Sequence, residues 1–312
     1  RSDRVTPPPP PQMYGRDLDV VRILTEIESY PLTIIHGDAG IGKTALVWAT
    51  AQEARSPKYS MIAEYDWVTV TPSTPVSDPE WQSRTLRQFA ARFKWTEAIG
   101  ASNQDLKKAG NKHLSKQSVL MVFDQVDDAE QLSALVAWLK PMLPEGQNSA
   151  GARAIVISRT APAADLHSLH LPPVKPERMR DMWTLFETLA SKQNTKIEAP
   201  VRDLILKVSA GNPTLLKLGG VYALSNPSAN VISVFNGLLG HGVNKQVTDL
   251  IVQVVAKLSA DAQWLAFASA RSGVELTDDN LFALWETRTT DNNLEKFQVT
   301  RTELVKSGVL SP

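Results

Sequence analysis

The segment His36-Gly-Asp-Ala-Gly-Ile-Gly-Lys-Thr44 has the residue types and spacing to hold a polyphosphate. Gly37, Gly42, Lys43 and Thr44 occupy the fixed places of the pattern Gly-x4-Gly-Lys-Thr. Glycines let the backbone curl so that successive N–H groups point inward, and Gly40, Ile41 and Ala45 complete such a cradle. A helix that begins at the loop adds the positive end of its dipole. Lys43 supplies a compact cation for the terminal phosphates, and Thr44 a hydroxyl for Mg²⁺.

A second stretch, Val119-Leu-Met-Val-Phe-Asp-Gln-Val-Asp-Asp128, is an apolar run that ends in an aspartate. It places Asp124 at the C-terminal edge of a strand, where a carboxylate can hold a water bound to Mg²⁺. Fast hydrolases often carry an acid at the next position. Here it is Gln125, whose amide can orient a water but cannot accept its proton. Slow hydrolysis, or hydrolysis that waits for a partner, is the expectation. Asp127 and Asp128 read as a solvated helix cap. Arg159, in Ile155-Val-Ile-Ser-Arg-Thr160, follows a further strand and can report whether a γ-phosphate is present; that reading is favoured over a surface arginine. Lys43, Asp124, Gln125 and Arg159 are therefore the candidate catalytic residues, with Thr44 and Asp124 on the metal side.

The elements that must position these groups can be read from periodicity. Leu18, Val21, Leu24 and Ile27 follow helical spacing ahead of a strand at Leu32–Ile35. A helix over 45–54 follows the glycine loop. The segment 60–70 reads as a strand and 79–95 as a helix with Trp81, Leu86, Phe89 and Phe93 as its apolar points. Strands at 119–123, 154–157 and 169–171, with a helix at 129–139, complete an alternating pattern that builds a parallel sheet covered on both faces. One full strand–helix unit lies between the glycine loop and Asp124, which suits an extra strand between the two phosphate-site strands. From Pro176 only helices are expected: 177–190, 200–210, 213–224, 247–270, 275–287 and 294–307. Gly211-Asn-Pro213 opens one of them as an ordinary helix start with proline in the first turn. Leu304–Leu310 reads as a last helix running into a first wing strand.

Composition narrows the class. The chain has 312 residues, of which 43% are hydrophobic, enough for two or three domains. Lys plus Arg and Asp plus Glu both number 33, so no net charge points to nucleic acid or an anionic membrane. There is no cysteine, hence no disulfide, thiolate zinc site or cysteine nucleophile. The five histidines show no metal spacing. No apolar run is long enough to span a bilayer, and a cytoplasmic location is expected. Pro7 to Pro11 favour an extended linker.

Taken together, these motifs resemble the NB-ARC branch of the STAND family of signalling ATPases. Met13-Tyr-Gly-Arg16 looks like the entry motif Phe-Val-Gly-Arg, and Tyr65-Asp-Trp-Val-Thr-Val70 is similar to the family's second strand. Phe123–Asp128 is similar to Leu-Asp-Asp-Val-Trp-Asp, Ile157-Ser-Arg159 stands where Thr-Thr-Arg is expected, and Gly211-Asn-Pro-Thr-Leu215 where Gly-Leu-Pro-Leu-Ala is. The resemblance implies an α/β fold: a parallel P-loop NTPase sheet followed by an all-α helical domain and a winged-helix domain. Its boundaries would be 1–12 linker, 13–175 nucleotide-binding domain, 176–243 helical domain and 244–312 a partial winged helix. It implies that Met13, Tyr14 and Arg16 line the adenine, that Pro213 packs on the base, and that Arg159 senses the γ-phosphate. It implies ADP or ATP with Mg²⁺ as cofactors, a monomer with ADP, and a homo-oligomer with ATP. Effector and sensor domains would lie upstream and downstream, with output in defence, cell death or transcription. Gln125 departs from the family's second aspartate, and no Met-His-Asp motif is present. An initiator-type DNA-loading ATPase and a metabolic kinase are the competing readings. Residues 244–312 carry no basic cluster to favour the first, and Gln125 with the long helical tail disfavours the second.

Overall fold

The computed structural model describes residues 16–70, 74–98, 100–144, 151–192, 196–272, 278–287 and 294–306. Met13, Tyr14, the proline run and the wing-strand expectation beyond 306 lie outside the described residues. The chain divides into two units, one of Arg1–Asp38 and Gly42–Pro172, the other of Ala39–Ile41 and Pro173–Pro312.

The first unit is an α/β sandwich. Its elements are α1 (Asp17–Ser29), β1 (Leu32–His36), α2 (Lys43–Arg55), β2 (Glu64–Thr69), α3 (Pro79–Arg92), α4 (Asn103–Leu114), β3 (Val119–Asp124), α5 (Ala129–Leu139), β4 (Arg153–Ser158) and β5 (Ser168–His170). The five strands are parallel, in the order β2-β3-β4-β1-β5. The extra strand expected between the phosphate-site strands β1 and β3 is β4. The strand encoded between the glycine loop and Asp124, β2, lies at the sheet edge outside β3.

β3 is buried along its whole length, as a central parallel strand covered on both faces must be. On one face Ile34, Met121, Phe123, Ala154 and Val156 join Trp81, Leu86 and Phe89 of α3, Leu106 of α4 and Leu132 and Leu135 of α5 in a single core. Phe123 meets both Phe89 and Trp138 edge-on, at centroid distances of 5.9 and 6.1 Å. On the chain's other face α1 packs against α2 and reaches β1 and β4. Among the described residues of this unit three helices start on side-chain caps: Asp78 accepts from Glu80 N–H at α3, Ser102 from Asp105 N–H at α4, and Asp128 from Gln131 N–H at α5.

The amphipathic reading of α1 needs correcting. Leu24 and Ile27 are buried with Ile23, whereas Leu18 and Val21 are 78% and 51% exposed. The inward stripe follows Ile23–Leu24–Ile27, and the two earlier apolar residues fall on the outer face of the first turns.

The second unit is helical: α6 (Pro176–Lys192), α7 (Ala199–Ser209), α8 (Pro213–Ser225), α9 (Ser228–Leu238), α10 (Val243–Val255), α11 (Ala260–Ser272), α12 (Asp278–Glu286) and α13 (Leu294–Lys306). The helical region expected over 247–270 is made of two helices, α10 and α11. Helices α6 to α10 share one core, to which α10 gives Leu250 and Val254. α11, α12 and α13 share another, built on Leu265, Trp285, Phe297 and Leu304.

Removing the ring at the centre of the first core tests this packing. Phe123→Ala should destabilise the protein by about 3–5 kcal/mol, read from urea unfolding, because the ring is fully buried in the core. A cost under about 1 kcal/mol would mean that β3 is not the packed centre of the sheet.

Candidate functional site

All five strands are parallel, so their C-terminal ends share one edge, and four loops of the first unit meet there. β1 runs into Gly37 and Asp38. The chain re-enters the unit at Gly42, whose φ of 95° lies in the left-handed region that glycine adopts without strain. Gly42 caps α2, and no side chain satisfies that helix's first turn. The first N–H groups of a helix have no acceptor within it and suit an anion.

Lys43 is the first residue of α2 and is 8% exposed. Its Nζ donates to the carbonyl oxygens of Gly37 at 2.7 Å and Asp38 at 2.9 Å. Burial pulls the ammonium below the usual lysine range. The Asp127 carboxylate opposes that most strongly, Arg159 reinforces it, and Asp124 and Asp38 oppose it. A buried ammonium that donates to its own loop is the arrangement a phosphate would replace with stronger, charge-assisted bonds.

Thr44 Oγ1 donates to Asp124 Oδ1 at 3.2 Å. Asp124 is 4% exposed, and the same oxygen accepts the Gln125 N–H at 2.8 Å. Burial pushes the carboxyl above the usual range, against the pull of Thr44, Gln125 and Lys43. A hydroxyl and a carboxylate oxygen side by side fit a hard cation that keeps most of its waters, with Thr44 and Asp124 as the residues that would hold Mg²⁺. Among the described residues no group of three or more His, Asp or Glu side chains forms a closed metal cage.

Gln125 is exposed and has φ of 64°, a left-handed conformation that a non-glycine side chain adopts under strain. The kink turns the chain out of β3. Val126 then donates to Ile157 O at 3.0 Å, which joins the β3–α5 loop to the end of β4.

Arg159 lies one residue past β4, as the sequence places it, but it is not a lone surface cation. Its Nε pairs with Asp127 Oδ2 at 3.0 Å, and its backbone N–H donates to Asp127 Oδ1 at 2.8 Å. Thr160 Oγ1 donates to the Asp127 carbonyl at 2.7 Å. The helix-cap reading holds for Asp128 alone; Asp127 turns instead to the neighbouring loop. Sequence reasoning missed this pair because the two residues are 32 apart. The signal becomes visible only once β4 is known to lie beside β3.

Arg16, expected from the resemblance at the adenine, is 5% exposed; its Nη1 donates to Asp19 Oδ2 at 2.7 Å and to Pro172 O at 3.0 Å. It thereby ties the start of α1 to the segment after β5. His36 and His170, paired across β1 and β5, bring their rings to 5.2 Å. Burial, then His170, then Lys43 lower the His36 imidazole below its ordinary range. Ala45 continues the first turn of α2.

Within the second unit, Gly211 has φ of 85° and lies so close to Val174 O that an added Cβ would approach it to 2.5 Å. Asn212 accepts from the N–H groups of Thr214 and Leu215, with Pro213 in the first turn of α8. Gly40 and Ile41 belong to this same unit, where Asn212 Nδ2 donates to Ala39 O at 2.8 Å and Thr214 Oγ1 to Gly40 O at 3.0 Å.

No family model and no curated protein sequence matches this chain. Among solved structures, the chain is similar to a Signal Transduction ATPase with Numerous Domains with a tetratricopeptide repeat sensor from Pyrococcus horikoshii. That likeness has 15% identity and a TM-score of 0.55, and covers 95% of this chain and 39% of that one. Looser likenesses are to the ORC2 protein of Aeropyrum pernix in ADPNP–ADP complexes (15% identity, TM-score 0.44, 96% and 87% covered) and to a Walker-type ATPase of Pyrococcus abyssi (14%, 0.47, 90% and 91%). The first shows the α/β P-loop NTPase fold, with its parallel sheet and a helical C-terminal region. The other two superpose too loosely to argue from. No helix among the described residues is long and apolar enough to cross a membrane.

The strained backbone at Gln125 can be tested directly. Gln125→Gly should raise the stability of the protein by up to about 1 kcal/mol in thermal unfolding, since glycine takes φ of 64° freely. A loss of stability would show that the side chain, and not the backbone, governs this turn.

Proposed function

We propose that the chain is a nucleotide-operated switch that binds ADP or ATP with Mg²⁺ at the Gly37–Ala45 loop. One observation carries the reading. A buried lysine at the head of a helix without a side-chain cap donates to its own loop carbonyls, beside a Thr44–Asp124 pair suited to a hydrated cation. Such a loop gains most from an anion that brings both negative charge and acceptors.

The residue at position 125 turns the reading from a catalytic engine to a switch. A neutral amide there cannot take a proton from an attacking water, so hydrolysis is slow and serves as a timer. Arg159 stands at the strand edge where a γ-phosphate would be sensed. The fold likeness to a signal-transduction ATPase supports the NB-ARC/STAND reading that the motifs suggest. On that reading the chain is the central module of a longer protein. It is monomeric and closed with ADP, and open and oligomeric with ATP, with its effector and sensor on either side. Pro213 and the 13–16 segment would contact the base. ATP can move such an equilibrium only by binding the open state more tightly than the closed one.

The test is to purify the chain, identify any nucleotide it retains, and titrate ADP and an ATP analogue with Mg²⁺. Wild type should bind both. Lys43→Ala should weaken binding by at least about a hundredfold, through loss of the charge-assisted bonds. Absence of any nucleotide binding by folded wild type sinks the reading. Salt-dependent duplex DNA binding without a nucleotide-dependent change in oligomeric state would favour the initiator alternative.

A further inference from the structure

We propose that Asp127 sets the nucleotide preference of this site: it holds Arg159 in a resting ion pair that a γ-phosphate must break, so that a nucleoside diphosphate is favoured over a triphosphate. This rests on the reading of Gly37–Ala45 as a nucleotide loop with Arg159 on its γ-phosphate side.

The geometry fixes the carboxylate more firmly than the guanidinium. Asp127 Oδ1 accepts the backbone N–H of Arg159, and the Asp127 carbonyl accepts the Thr160 hydroxyl. Val126 N–H to Ile157 O ties down the residue before it. None of these bonds involves the Arg159 side chain, so all three persist if the guanidinium moves. The side-chain pair is a single contact through Nε at 3.0 Å, with the arginine side chain 58% exposed. A half-exposed pair of this kind is weak, and a phosphate oxygen can displace it.

Displacement leaves a negative charge behind. With Arg159 turned to a γ-phosphate, the Asp127 carboxylate stays in place without its counter-ion, close to the added phosphate charge. Both effects, breaking the pair and facing the like charge, act on the triphosphate and spare the diphosphate, whose charge ends one phosphate earlier. No sequence rule requires an acid here, and Gln125 leaves Asp127 as the first carboxylate after Asp124.

The measurement is calorimetric titration of ADP and a non-hydrolysable ATP analogue, with Mg²⁺, into wild type, Asp127→Asn, Arg159→Gln and the double variant. Asparagine keeps an oxygen for the Arg159 N–H and removes only the charge. Asp127→Asn should tighten the analogue about tenfold and move ADP less than about twofold, and raised salt should shrink the difference. The gain should vanish in the Arg159→Gln background. Weaker analogue binding by Asp127→Asn would mean that Asp127 orients Arg159 for phosphate, and would overturn the proposal. An unchanged ratio of the two affinities would overturn it as well. Should Asp127→Asn fail to fold, Asp127→Ser carries the same expectations. Wild type that binds neither nucleotide refutes the underlying site, whereas wild type that binds both with a ratio indifferent to Asp127 refutes this inference alone.

Discussion

The parallel register of β3, β4 and β1 is the constraint on which the site depends. His36 pairs with Ser158, and Phe123 with Val156, so the three strands finish level with one another. Every chain exit on that edge is then a loop at the same height. Lys43, Asp124, Asp127 and Arg159, which span more than a hundred residues of sequence, are brought together by three runs of apolar strand. The apolar core under β3 supports that edge, and the Asp127–Arg159, Thr160–Asp127 and Val126–Ile157 bonds link its loops.

The edge carries a balanced but uncomfortable set of charges. Lys43 and Asp124 are both nearly buried, and burial drives each toward its neutral form. Thr44, the Gln125 N–H and the loop carbonyls offset part of that cost. The first turn of α2 adds N–H groups that no side chain satisfies, and Gln125 adds a strained backbone. Such a concentration of unfavourable terms in one place is typical of functional sites. The reading as a switch follows from what this site lacks at position 125 and from what it places at 127 and 159.

Much of this was legible in the sequence. The glycine loop, Asp124 and Arg159 stand where their motifs put them, and the strands and α5 follow the apolar runs closely. Strand order was legible only as the presence of an inserted strand. That the inserted strand is β4, with β2 at the edge, depends on pairing between distant segments. Two helices gave no usable signal. α4 buries only Leu106, Ala109, Gly110 and Leu114, a stripe too sparse and small to stand out in a polar segment. α9 carries serine, asparagine and the β-branched residues Val231, Ile232 and Val234, types that favour a helix weakly. The Asp127–Arg159 pair was hidden for the same reason as the strand order. The α1 face was misjudged because four apolar residues at helical spacing cannot say which of them meets the sheet.

On the proposed function, this edge of the sheet distinguishes a triphosphate from a diphosphate. Hydrogen exchange on the protein loaded with ADP and, separately, with a non-hydrolysable ATP analogue tests it most directly. Protection in the 124–128 and 157–160 segments should differ between the two nucleotides, while the 119–123 strand beneath them exchanges equally slowly in both. Identical exchange of those two loops with either nucleotide bound would contradict it.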